Sequence, residues 1–200
     1  MLMVTLEILV VIVVPLLILY LRGPWPLRVA IPCLLVIPVL WYLVYSPIHE
    51  LSHVLGTYLT GGTVTQIKLI PSFWRGEFGR AWITPHGLHA RWQDLVMTGA
   101  PYVLDVLSVA VGLVVLRGGL LSRPFALGLT FMLLCLRPTF DLVCETVAFA
   151  RGDRGDLYHM ALVTGIPELW TSMILLVGFS VFAVARVLLR AFSSGSVATT

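Results

Sequence analysis

Residues 34–56, LLVIPVLWYLVYSPIHELSHVLG, join two patterns with opposite demands on solvent. The first half is an apolar run fit for lipid. The second half carries His49, Glu50 and His53 in the order HExxH. On a helix, residues four apart project from the same face about one turn apart. Two neutral imidazoles so placed can reach one Zn²⁺ at about 2.0–2.1 Å. Glu50, beside the first histidine, reaches the fourth coordination position, where a general base takes the proton of an activated water. The plain alternative is a set of polar residues at a helix end. Charged groups central to a membrane cost about 2.5–3.5 kcal/mol each on insertion scales, so their presence there favours a functional site.

The surrounding chain supports a membrane setting. Of 200 residues, 58% are hydrophobic and only 12% are charged, whereas a soluble domain carries about a quarter charged residues. One soluble core cannot absorb that apolar excess, so the class expected is a polytopic membrane protein built as one domain. The net charge of +3 comes from basic residues scattered at run ends. Nucleic-acid binding is excluded, because it needs clustered basic residues. Cys33, Cys135 and Cys144 lie inside apolar runs without metal-type spacing and read as small buried hydrophobes.

Outward from the motif, a first apolar run over 1–21 lacks a basic leader and a small-residue cleavage site, so it reads as a retained helix. The second run, 27–59, carries HExxH and stops at Thr60-Gly61-Gly62. Residues 61–94 are mixed, with β-branched pieces at 63–70 and 81–84 that predict two short strands and a turn. Three further runs follow at about 95–116, 125–150 and 166–189, joined through Gly118-Gly119 and RGDRGD (151–156). The fold expected is an all-α polytopic membrane protein with about five transmembrane helices and a short β-type insertion after the second. Residues 1–192 form the single membrane-embedded domain, and the small polar tail 193–200 reads as disordered. Arginine and lysine counts on the two sides are tied, so they do not orient the chain. Tryptophans near run ends read as interface anchors, and His86, His89 and His159 as ordinary loop and surface histidines.

Zinc needs a third protein ligand, and the candidates are Asp105, Asp141 and Glu145. Asp141 lies deep in an apolar run, three residues after Pro138, which removes a helix hydrogen bond and loosens the backbone. Arg137, Asp141 and Glu145 also recur every four residues, the spacing of an ion-paired helix face. Asp105, in TGAPYVLD, suits a group that orients an imidazole.

HELSHVLGTYLTGG, then a β-type insertion, then MTGAPYVLDV and LRPTFDLV, resembles the site-2 protease family of intramembrane zinc peptidases. RGDRGDLYHMALVTGIPELW is similar to the D…TGIP…W element of the family's short branch that lacks a PDZ domain. The resemblance spans about residues 40–180. Two positions depart from the family pattern: Leu142 stands where a glycine usually follows the aspartate, and the usual upstream asparagine is absent. The resemblance implies Zn²⁺ held by His49, His53 and Asp141, with Glu50 as general base. It implies hydrolysis of membrane-spanning protein substrates, in a multi-pass protein of the cell (plasma) membrane whose insertion faces the cytosol. The competing function is a non-proteolytic zinc-binding membrane protein: a metal sensor, a chaperone-like binder or a transporter.

Overall fold

The computed structural model describes residues 27–71, 81–118, 120–121, 123–165, and 172–186 apart from 174, 184 and 185. The expected first helix and the polar tail lie outside the described residues. The element order is α1 (Leu27–Leu59), β1 (Thr63–Lys68), β2 (Trp82–His86), α2 (Arg91–Arg117), α3 (Pro124–Thr130), a π-helical segment (Phe131–Leu136), α4 (Arg137–Ala150) and α5 (Asp156–Thr164). The described residues of 172–186 are helical, within the last expected run.

The sequence reading misses α5 as a separate helix. RGDRGD ends α4 and reverses the chain, and Asp156 opens a new helix. The reversal uses Gly152 at φ +77°, with its N–H donating to Phe149 O and that of Asp153 to Ala148 O.

α1 ends as its sequence predicts. Gly61 takes φ +83°, the Gly62 N–H donates to Thr57 O and the Gly61 N–H to Tyr58 O, which together make a Schellman stop. The Oε1 of Gln93 accepts from the N–H groups of His89 and Ala90, serving the start of α2. Its Nε2 donates to Thr60 O, tying that start to the end of α1. Between them, β1 and β2 pair antiparallel from Thr63↔His86 to Lys68↔Trp82, with an irregularity between Val64 and Gln66.

α1 and α2 cross closely because Gly56 lacks a side chain. A Cβ there would lie 2.8 Å from Met97 Cα and 2.9 Å from Val96 O. One core cluster joins Trp41 of α1 to Phe131, Met132, Cys135, Leu136 and Phe140. Tyr45 stacks on Trp41 at 6.0 Å and meets Phe140 edge-on, which fixes its ring beside α4. A second cluster joins Tyr102, Leu142, Leu157 and Met173. The π turns end just before Pro138, whose ring nitrogen cannot donate to the Leu134 carbonyl. Residues 137–142 are all buried. Among the described residues, two helical stretches, Arg91–Arg117 and Phe125–Ala150, are long and apolar enough to cross a membrane.

Candidate metal centre

Four backbone segments bring the polar side chains together. α1 supplies His49, Glu50 and His53, α2 the Met97 carbonyl, α4 Asp141 and Glu145, and α5 Asp156. His49 Nδ1 lies 2.8 Å from Asp141 Oδ2, and His53 Nδ1 lies 2.9 Å from Met97 O. A carbonyl and a carboxylate can only accept, so each Nδ1 carries a proton, and in the neutral ring each Nε2 presents a lone pair.

Those two Nε2 atoms converge, 3.2 Å apart. Asp156 Oδ2 completes the triangle, 3.2 Å from His49 Nε2 and 2.9 Å from His53 Nε2. Three acceptor atoms thus face one another without a proton of their own to share. In a tetrahedral zinc site with bonds of about 2.0–2.1 Å, neighbouring ligand atoms stand about 3.3 Å apart. Two of the three edges, at 3.2 Å, come close to that figure and the third, at 2.9 Å, is shorter; two imidazole nitrogens and a carboxylate oxygen are a donor set that fits a tetrahedral cation.

Asp141, the expected third ligand, stands apart from this triangle. Asp141 faces the Nδ1 side of His49, away from the converging nitrogens, and its Oδ1 accepts from Tyr45 Oη at 3.0 Å. An imidazole offers an ion only the nitrogen turned towards it, so Asp141 is placed to orient the His49 ring, and Asp156 rather than Asp141 stands with the nitrogens that could hold an ion. Tyr102 Oη donates to Asp156 Oδ2 at 3.2 Å.

Met97 O is free to serve His53 because of Pro101. Residue 101 would normally donate its N–H to the carbonyl four residues back, and proline has none. The same MTGAPYVLD stretch carries Asp105, whose carboxylate takes Arg137 Nη2 at 2.7 Å. Both side chains are 1% exposed. The Asp105 carboxyl also neighbours that of Asp141. Arg137 therefore reaches across to α2 for Asp105 rather than forming the same-face pair that its spacing suggested.

A cavity of about 730 Å³ opens onto the cluster. Glu50, 8% exposed, lines it together with His49, His53, Asp141, Glu145 and Asp156. Trp82, Ile83 and Pro85 of β2 form another wall, and the exposed Arg154 and His159 stand on the connector and on α5. His86 and His89 do not belong to the cluster of metal-ligating groups, and His159 only borders the cavity.

Sequence reasoning missed Asp156, Tyr45, Tyr102 and the role of Pro101. The available signal for Asp156 was a Gly-Asp pair opening an apolar helical stretch, since acidic residues favour a first turn. No protein-family model, no characterised protein and no solved structure matches the chain.

Proposed function

We propose that this chain is a multi-pass, zinc-dependent intramembrane endopeptidase of the site-2 protease kind, residing in the cell membrane and acting on membrane-spanning protein substrates. The observation that carries the reading is the triangle of His49 Nε2, His53 Nε2 and Asp156 Oδ2, with Glu50 on the wall of the same cavity. Two imidazoles and one carboxylate leave a fourth position open, the arrangement of a catalytic rather than a structural zinc site. The membrane setting is supported by apolar side chains left exposed along α1 and α2, among them Leu35, Val39, Leu43, Val103, Leu107 and Val111.

Zn²⁺, when bound, supplies Lewis acidity towards a carbonyl and acidifies water to near neutrality. The chain's own residues do the rest. Asp141 and Met97 O hold the two rings with Nε2 inward. Glu50 takes a proton from the attacking water and returns it to the leaving amine. β2, rather than β1, borders the cavity, so an unwound substrate segment lies along β2, where an extended chain meets an extended chain.

The test is zinc content and cleavage of a reporter transmembrane substrate in proteoliposomes, comparing wild type with Glu50→Gln. The expected result is one zinc per chain in both, with cleavage by the variant reduced about 10²–10⁴-fold. Undiminished cleavage by Glu50→Gln overturns the mechanism. Zinc bound without any cleavage by the wild type leaves the non-proteolytic binder in its place.

A further inference from the structure

α2 contributes no atom to the triangle, yet it touches all three of its members. Its Met97 carbonyl takes His53 Nδ1 at 2.9 Å. Its Tyr102 hydroxyl donates to Asp156 Oδ2 at 3.2 Å, and the same ring meets that of His49 at 6.2 Å, nearly perpendicular at 78°. The three members do not need this support equally. His49 and His53 share one helix and are set by its turn. Asp156 is the first residue of α5, directly after the 151–155 reversal, and its side chain is 29% exposed against 15% and 7% for the histidines. A carboxylate turns about two side-chain bonds, so a fixed donor beside it decides which oxygen points inward.

Tyr102 has the surroundings of such a donor. It is 3% exposed and packs with Leu142, Leu157 and Met173. Leu157 follows Asp156 in the chain, so the cluster that grips the ring also anchors the start of α5. A tyrosine ring has only two side-chain torsions, and close packing around it carries the hydroxyl to one place. The bond goes to Oδ2, the same oxygen that stands 3.2 and 2.9 Å from the two imidazole nitrogens. A carboxylate oxygen has two lone pairs, so one can meet the hydroxyl while the other meets an ion. Tyr102 is not among the residues that line the cavity, so it acts on the carboxylate rather than on a substrate.

We propose that Tyr102 is the positioning residue of Asp156: its hydroxyl holds Oδ2 towards the two imidazole nitrogens, so that the carboxylate meets a metal ion through this one oxygen. This rests on the reading of Asp156 as a metal ligand. Phenylalanine keeps the packed ring and its contact with His49 and discards only the donor. In Tyr102→Phe the carboxylate is free to turn and offer both oxygens, which raises the coordination number of the ion. A purely structural role for the ring predicts no such change, because phenylalanine fills the same space.

The experiment uses the full chain in detergent, with Tyr102→Phe, Asp156→Ala and the double variant. Zinc affinity is read by chelator competition, and ligand geometry by the visible absorption of bound Co²⁺, which weakens as coordination rises above four. Tyr102→Phe is expected to weaken zinc about 10–100-fold and to lower the Co²⁺ absorption. In metal-free protein, Tyr102→Phe is expected to lower the unfolding midpoint where Asp156 is present and not where alanine replaces it. Equal shifts in the two backgrounds would show that hydroxyl and carboxylate do not interact, which overturns the proposal. If Asp156→Ala loses zinc while Tyr102→Phe keeps the wild-type affinity and spectrum, the ligand reading stands and the positioning role alone is overturned. If Asp156→Ala binds zinc as tightly as the wild type, the ligand reading itself falls, and the proposal with it.

Discussion

Two charged assemblies lie side by side among these helices and are balanced in opposite ways. In the Arg137–Asp105 pair a cationic donor meets an anionic acceptor at 2.7 Å, both 1% exposed. In the His49–His53–Asp156 group three acceptors meet, with each histidine proton already committed on the far side of its ring. The first pairs opposite charges, leaves Arg137 Nε and Nη1 and Asp105 Oδ2 without hydrogen-bond partners, and does not contribute to the cavity wall; the second opens onto it. The closed pair is the more deeply buried of the two, so burial alone does not mark a working site. The kind of atoms brought together does: the ion pair joins donor to acceptor, whereas converging lone pairs call for a cation.

The sharpest way to break this comparison is to unbalance the closed pair. Asp105→Ala leaves the Arg137 guanidinium buried without its counter-charge, which is expected to cost about 3–5 kcal/mol of stability. Denaturant unfolding in detergent would measure it. Zinc bound per folded molecule should change far less, because neither residue belongs to the ligand triangle. If zinc affinity collapses while stability holds, the two assemblies are one functional unit and the contrast fails.

A somewhat smaller loss is expected at the open cluster. Asp156→Ala removes one of three protein ligands and should weaken zinc about 10²–10³-fold, near a quarter of the 10–16 kcal/mol typical of four-ligand structural sites. Asp141→Asn keeps a group against His49 Nδ1 but discards the charge, and about 10–100-fold is expected. Chelator competition on both variants ranks the two aspartates directly. The opposite ranking would return Asp141 to the ligand position that its place after Pro138 first suggested.

The separate places of Asp141 and Asp156 show what a single sequence carries. The extent of α1, its stop at Gly61-Gly62 and the pairing of His49 with His53 are local facts, written in an apolar run, a glycine pair and a four-residue spacing. The strands were legible for the same reason, as β-branched pieces on either side of a turn. Asp156 joins the site across 107 positions of chain. Its arrival depends on the reversal at Gly152 and on the crossing at Gly56, and neither has a local signature that names its partner. Asp141 carried the stronger sequence signal because it sits deep in an apolar run. Depth, however, is equally required of a residue that only orients the ring.

The smallest expected effect on the metal is at Pro101, where stability and affinity should move in opposite directions. Pro101→Ala supplies the N–H that proline lacks, and alanine is favoured over proline by up to about 3 kcal/mol in a helix interior. The restored N–H points at Met97 O, the carbonyl that now accepts from His53 Nδ1. A carbonyl has two lone pairs, so competition weakens the histidine bond without abolishing it. The loss of zinc affinity is therefore expected to stay below about tenfold, while the unfolding midpoint rises. Both readings come from one purified variant, by chelator competition and denaturant titration. A variant that gains stability with unchanged affinity would show that His53 needs no help from α2. In that case the inward aim of its Nε2 comes from the HExxH helix alone.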